Sequence, residues 1–174
     1  MKELILGGVR SGKSHLAETR ARQSLREVVY LATARAGDDA GLQQRIREHR
    51  ERRPADWILI EEPTGLAAAL RRHAADHRCV LVECLTLWLT NLLCAQDSGL
   101  FAREREAFME SLAGLPGQLI LVSNETGLGI IPVGELTRRF VDEAGRLHQE
   151  LAQICDRVIL TVAGLPQFIK GGSA

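Results

Sequence analysis

The sequence predicts an α/β fold, a doubly wound, mostly parallel sheet with helices on both faces. Two observations carry this. Six short β-rich apolar runs alternate with helical patterns along the chain. Most of these runs are apolar at consecutive positions, as strands must be when helices cover both faces. A third observation narrows the class. Between the first run and the first helix, Gly7-Gly8-Val9-Arg10-Ser11-Gly12-Lys13-Ser14 reads G-x-x-x-x-G-K-S, the phosphate-binding loop. The expectation is a P-loop NTPase-type sheet in one domain over residues 1–174.

Each element follows in order. Leu4-Ile5-Leu6 is the strand before the loop, and residues 15–22 are the helix after it. Glycines let the backbone curl around a polyphosphate, and the helix start adds unpaired N–H groups with a partial positive charge. Lys13 can reach the outer phosphates, and the Ser14 hydroxyl can ligate Mg²⁺. The further strands are 28–32, 57–60, 79–82, 119–122 and 158–162. Helices are expected over 39–52, 64–75, 85–95, 102–113 and 135–154. No repeat, low-complexity tract or linker divides the chain.

The totals bound the function. The 174 residues contain 22 basic and 22 acidic side chains, so net charge gives no argument for nucleic acid or an anionic membrane. There is no charged-then-apolar leader and no apolar run near the roughly 20 residues that span a bilayer. A cytoplasmic location is expected. Cys79, Cys84, Cys94 and Cys155 form no C-x-x-C pair and fit free, mostly buried thiols.

In such sheets the ligand lies outside the carboxyl ends of the strands. The residues there are Thr33, Ala34 and Arg35, then Glu61 and Glu62, then Glu83, then Ser123 to Gly129. Glu83 stands where a Walker B acid would steady Mg²⁺, with Glu in place of the commoner Asp. Single carboxylates after strands are also common helix caps. The helix over 39–52 carries Arg45, Arg47, Arg50, Arg52 and Arg53 around His49. One reading is a solvated face with Glu48 and Glu51 as pairing acids. The other is a guanidinium cluster that holds phosphates, with a neutral imidazole as nucleophile toward phosphorus. Neighbouring arginines favour that neutral form. His73 and His77, four apart on one helix, have no third metal ligand nearby and read as surface residues. His15 reads as solvent-facing. Asn124-Glu125-Thr126-Gly127 lacks the Lys and Asp of N-K-x-D, and no D-x-x-G switch occurs, which argues against a regulatory GTPase.

These residues together resemble one family. The chain is similar to the bifunctional adenosylcobinamide kinase/adenosylcobinamide-phosphate guanylyltransferases of cobalamin biosynthesis, nearly end to end. The matching segments are Gly7 to Ser14, Tyr30 to Thr33, and Arg45-Ile46-Arg47-Glu48-His49-Arg50. They continue with Arg53-Pro54, Trp57 and Glu61, then Leu81 to Leu93, Asn124 to Pro132, and Arg138 to Gly145.

The resemblance implies two reactions. One phosphorylates the aminopropanol hydroxyl of adenosylcobinamide from ATP or GTP. The other moves GMP from GTP to adenosylcobinamide phosphate, giving adenosylcobinamide-GDP and pyrophosphate. His49 matches the family histidine that carries GMP covalently. Gly7 to Ser14, Ala32, Thr33, Ala34, Arg50, Glu51, Arg52, Arg53, Glu61 and Glu83 are the implied nucleotide-binding residues, with Ser14 and Glu83 as metal ligands. A carboxylate accepts from the N1–H and N2–H₂ edge of guanine. Which of Glu61 and Glu83 reads the base, and which serves the metal, the sequence leaves open. The family also implies a homo-oligomer, a trimer. Two departures stand out: Glu48 precedes the histidine where some relatives carry His, and His148 occupies the Asn position of G-x-x-N-Q. The competing readings are a monofunctional P-loop small-molecule kinase without a covalent intermediate, and a nucleotide sensor without turnover.

Overall fold

The computed structural model describes residues 1–35, 41, 43–44, 47, 50–51 and 53–172. A seven-stranded sheet has the order β3-β2-β4-β5-β1-β6-β7. The strands are β1 (Lys2–Gly7), β2 (Glu27–Ala32), β3 (Ile58–Glu61), β4 (Arg78–Glu83), β5 (Gln118–Asn124), β6 (Arg157–Val162) and β7 (Leu165–Lys170). The first six are parallel to their neighbours, and only β7 runs antiparallel, against β6. The helices are α1 (Lys13–Gln23), α2 (Leu66–His73), α3 (Leu85–Leu93), α4 (Leu100–Leu112) and α5 (Glu135–Ile154). Residues 41, 43, 44, 47, 50 and 51 are also helical.

The alternation of side chains along β1 divides the core. Leu4 faces one layer and Ile5 the other. The first layer packs β-strand residues such as Val80, Val82 and Leu121 against Leu66 and Leu70 of α2, Trp88 and Leu89 of α3, Phe108 of α4 and Leu147 of α5. The Trp88 and Phe108 rings lie 5.0 Å apart, and Trp88 Nε1 donates to the Thr64 carbonyl at 2.8 Å. The second layer seats small residues of α1, Ala17 and Ala21, on Ile5, Leu81 and Ile120. Both faces are therefore covered, as the apolar strands predict.

Three expectations need correction. β7 was not foreseen, because its side chains are largely exposed and it carries Pro166, which an edge strand tolerates. The helix expected over 64–75 is only Leu66–His73, since Glu62 Oε1 accepts from the N–H groups of Thr64 and Gly65 and starts it later. His77 is consequently not on a helix with His73; it sits in the turn before β4, 3.6 Å from Glu27. Cys79, Cys84 and Cys155 are buried and free as expected, whereas Cys94 is exposed. Among the described residues no helix is long and apolar enough to cross a membrane.

Candidate active site

The site is built at the carboxyl edge of the sheet from the loop between β1 and α1. Gly7 pairs with Asn124 on one side and Thr161 on the other, so the loop leaves the sheet at its centre. A Cβ on Gly7 would lie 2.4 Å from Ser11 Oγ and 2.6 Å from the Thr161 carbonyl. Gly12 adopts φ 95°, a conformation that a side chain disfavours, and leads into α1 as its cap. Gly8, Val9 and Arg10 are exposed at the tip, and Arg10 itself has a left-handed φ of 57°. Among the described residues the buried Ser11 Oγ has no hydrogen-bond partner. Lys13 is buried, with its ammonium 3.2 Å from the Gly8 carbonyl, folded across the loop it would share with a phosphate.

Glu83 ends β4, which β5 separates from β1. Its carboxylate still reaches the loop: Ser14 Oγ donates to Glu83 Oε1 at 2.8 Å. This hydroxyl–carboxylate pair is an oxygen donor set of the kind a hard divalent cation takes. The turn after Glu83 is fixed by Thr33. Its Oγ1 donates to the Cys84 carbonyl at 2.7 Å and accepts from the Cys84 N–H at 2.9 Å, and the Thr33 N–H donates to the Glu83 carbonyl. The Glu83–Cys84 peptide is cis. Asn91 of α3 completes the brace, donating through Nδ2 to the carbonyls of Thr33 (2.8 Å) and Pro63 (2.9 Å).

The predicted residues divide accordingly. Gly7 to Ser14 and Glu83 come together. Thr33 is fully buried and its hydroxyl is spent on Cys84, while Ala32 receives the Glu62 N–H on its carbonyl; Ala34 is half-buried beside them. Glu61 ends β3 and pairs with Arg50 at 2.5 Å, both about half exposed. Arg53 lies over the Tyr30 ring, 5.2 Å from its centroid. Glu51 is exposed. His49 and Arg52 lie outside the described residues, as do Arg45 and Glu48. Arg47 Nη2 donates to Gln44 Oε1 at 2.7 Å. Glu62 accepts from the Thr64 and Gly65 N–H groups and so holds the turn that precedes α2.

Electrostatics removes some candidates. Burial, with help from Glu83, pushes the Cys84 thiol up to about 11, so it stays protonated and is no nucleophile at neutral pH. Burial raises the Tyr30 phenol well above its ordinary value; Glu83 and Glu18 raise it further, while Arg53 opposes them. Tyr30 is therefore neutral at physiological pH.

Three supports were not read from the sequence. Asn91 acts between segments far apart in the chain. The β6–β7 turn buttresses the loop, with the Gly164 N–H donating to the Ser11 carbonyl at 2.8 Å. His148 is buried behind the β5 turn, with Nε2 2.8 Å from Ser123 Oγ and Nδ1 3.8 Å from Glu125 Oε2. The family departure at this position thus faces inward.

The cobinamide kinase / cobinamide phosphate guanyltransferase family matches residues 3–169. The chain belongs to this family. It is 60% identical over 171 residues to the bifunctional adenosylcobalamin biosynthesis protein CobP of Pseudomonas aeruginosa, covering 98% of each chain. It is 35% identical to the CobU protein of the same description from Escherichia coli, covering 98% of this chain and 100% of that one. Among solved structures, the type III secretion ATPase EscN of enteropathogenic E. coli shares the fold, with a TM-score of 0.52 at 13% identity, over 93% of this chain and 43% of that one. Membership makes this chain an enzyme of the kinase and guanyltransferase class.

Proposed function

We propose that the protein phosphorylates adenosylcobinamide with ATP or GTP, and then guanylylates adenosylcobinamide phosphate with GTP through a guanylyl-histidine. The observation that carries this reading is the Ser14–Glu83 pair behind a phosphate loop whose lysine is already folded inward. It supports Glu83 as the acid on the metal side. Glu61, at the far end of the carboxyl edge, is then the acid for the guanine N1–H and N2–H₂ edge, provided Arg50 gives way or bridges.

In the first reaction the acceptor hydroxyl oxygen forms a bond to the γ-phosphorus, and the bond from that phosphorus to the β–γ bridging oxygen breaks. The hydroxyl proton passes to solvent water. Backbone N–H groups from Gly8 to Lys13 and the Lys13 ammonium hold the phosphates and offset their charge. Mg²⁺ on Ser14 and Glu83 supplies further charge neutralisation when bound. In the second reaction a ring nitrogen of His49 attacks the α-phosphorus of GTP and pyrophosphate leaves. An oxygen of the acceptor phosphate then attacks the same phosphorus and the P–N bond breaks. Two moderate displacements replace one hard one. Arg50, the next residue in sequence after His49, pairs with Glu61 at the end of β3.

The test is direct. Protein incubated with α-labelled GTP and Mg²⁺ retains label after denaturation, and the adduct is acid-labile and base-stable, as a phosphoramidate is. His49→Ala abolishes the adduct and guanylyl transfer while keeping much of the kinase activity. Lys13→Ala depresses both reactions. Transfer of γ-phosphate to cobinamide with no adduct reduces the function to a kinase.

A further inference from the structure

The carboxyl edge has two flanks. Arg50, Glu61 and Arg53 lie toward β2 and β3. The other flank is the segment that leaves β5 beside the phosphate loop. Its root is fixed there: the Glu125 N–H donates to the Gly7 carbonyl at 3.0 Å, and the Asn124 N–H donates to Thr86 Oγ1 at 2.8 Å. Further bonds lie at its first turn and at its far end. The Gly127 N–H donates to Glu125 Oε1, and Arg138 of α5 donates to the carbonyls of Pro132 and Val133. With its backbone so held, the segment turns Leu128, Ile130, Ile131 and Val133 to solvent, at 83, 97, 77 and 91% exposure. Leu136 continues the apolar surface into a groove of about 150 Å³ between α3 and α5, floored by Leu93 and Phe140.

A fixed loop that shows four aliphatic side chains to water raises the free energy of the unliganded protein, and such patches mark binding sites. No residue from Thr126 to Gly134 carries a charge. A phosphate-rich ligand has nothing to hold there. A large methylated ring with neutral amide arms does, because its faces bury aliphatic surface and a single short arm fits the groove.

We propose that this aliphatic loop and groove bind the corrinoid ring of the acceptor, holding its hydroxyl or phosphate arm toward Gly7 to Ser14. The inference rests on the function proposed above. The occupant follows from position. The loop is rooted on Gly7, so whatever covers it sits next to the reacting phosphates, and the acceptor must sit there in both reactions. A second copy of the chain is the competing occupant, which the assembly mass tests.

The experiment compares the full-length protein with a variant carrying Ile130→Ser, Ile131→Ser and Val133→Ser. All three side chains are exposed, so their loss leaves the core intact; Ile130→Ser alone carries the same test if the triple variant fails to fold. Cobinamide affinity is measured by the change in its visible absorbance, GTP affinity on the same sample, and assembly mass by light scattering. The expected result is a loss of cobinamide affinity of about tenfold or more, from the apolar area no longer buried. GTP affinity and mass stay unchanged. Unchanged cobinamide affinity overturns the inference. So does an equal loss of GTP affinity, which would mean a damaged phosphate loop. A fall in mass, with or without lost cobinamide affinity, overturns it in favour of contact between copies. If the unmutated protein neither binds nor phosphorylates cobinamide, the functional reading itself fails, a result distinct from failure of the variant alone.

Discussion

A methyl group on Gly7 has no room, because both atoms it would meet, Ser11 Oγ and the Thr161 carbonyl, belong to the wall of the site. Relief requires the loop to move away from β6. Gly7→Ala is expected to lower stability by about 1–3 kcal/mol and to weaken GTP binding more than tenfold; thermal unfolding and equilibrium binding measure the two effects. His148 gives a second expectation at this scale. Burial lowers its pKa below the ordinary value near 6.5, with Glu125 opposing in part. The unfolded chain therefore takes up a proton at a higher pH than the folded one. Stability is complete above about pH 6.5 and is lost as pH falls from there toward the lowered folded value. His148→Gln is expected to flatten this acid dependence, read from urea midpoints at pH 7.5 and 5.5; an identical slope in the two proteins refutes it. The phosphate loop was legible because its chemistry is local, eight consecutive residues with backbone donors. Asn91 and His148 were not, because each acts across a gap of dozens of residues that only the folded sheet closes.

At the scale of elements, six strands were legible because burial on both faces forces apolar residues at consecutive positions. β7 has no such requirement. It packs Phe168 against the second layer and otherwise faces water, so its sequence carries little strand signal. Its function is nevertheless close to the site, since the β6–β7 turn holds the phosphate loop through Gly164 and Ser11. Gly164 has φ 82° and donates its N–H. Gly164→Pro removes that donor and forbids that φ. GTP affinity is expected to fall about tenfold although Gly164 itself is outside the phosphate loop. A retained affinity, measured by titration, would show that the loop holds its shape without the hairpin. Of the helix predicted over 39–52, residues 41, 43, 44, 47, 50 and 51 are helical, and the others lie outside the described residues.

For the whole molecule, sheet order separates two acids that the sequence left equivalent. The sequence put Glu61 and Glu83 both after strands and left their roles open. The fold puts β4 next but one to β1, and β3 at the far edge, so the two acids differ in distance from Ser14. Ligand linkage tests the assembled site as a unit. GTP with Mg²⁺ at about one hundred times its dissociation constant should stabilise the folded chain by about 2.7 kcal/mol, seen as a rise in thermal midpoint. Lys13→Ala and Glu83→Gln should each abolish most of that rise. A midpoint that GTP leaves unmoved in the unmutated protein would contradict nucleotide binding at this edge.

Among the described residues, β1 pairs with β5 and β6, which lie more than one hundred residues later in the chain. During synthesis on the ribosome, Leu4, Ile5 and the phosphate loop emerge early and wait for partners that do not yet exist. β2, β3 and β4 can pair with one another in the meantime. The loop cannot be braced until Gly164 has also cleared the tunnel. The nascent chain therefore acquires its grip on nucleotide almost last, and a truncated product carries the signature motif without the ability to use it.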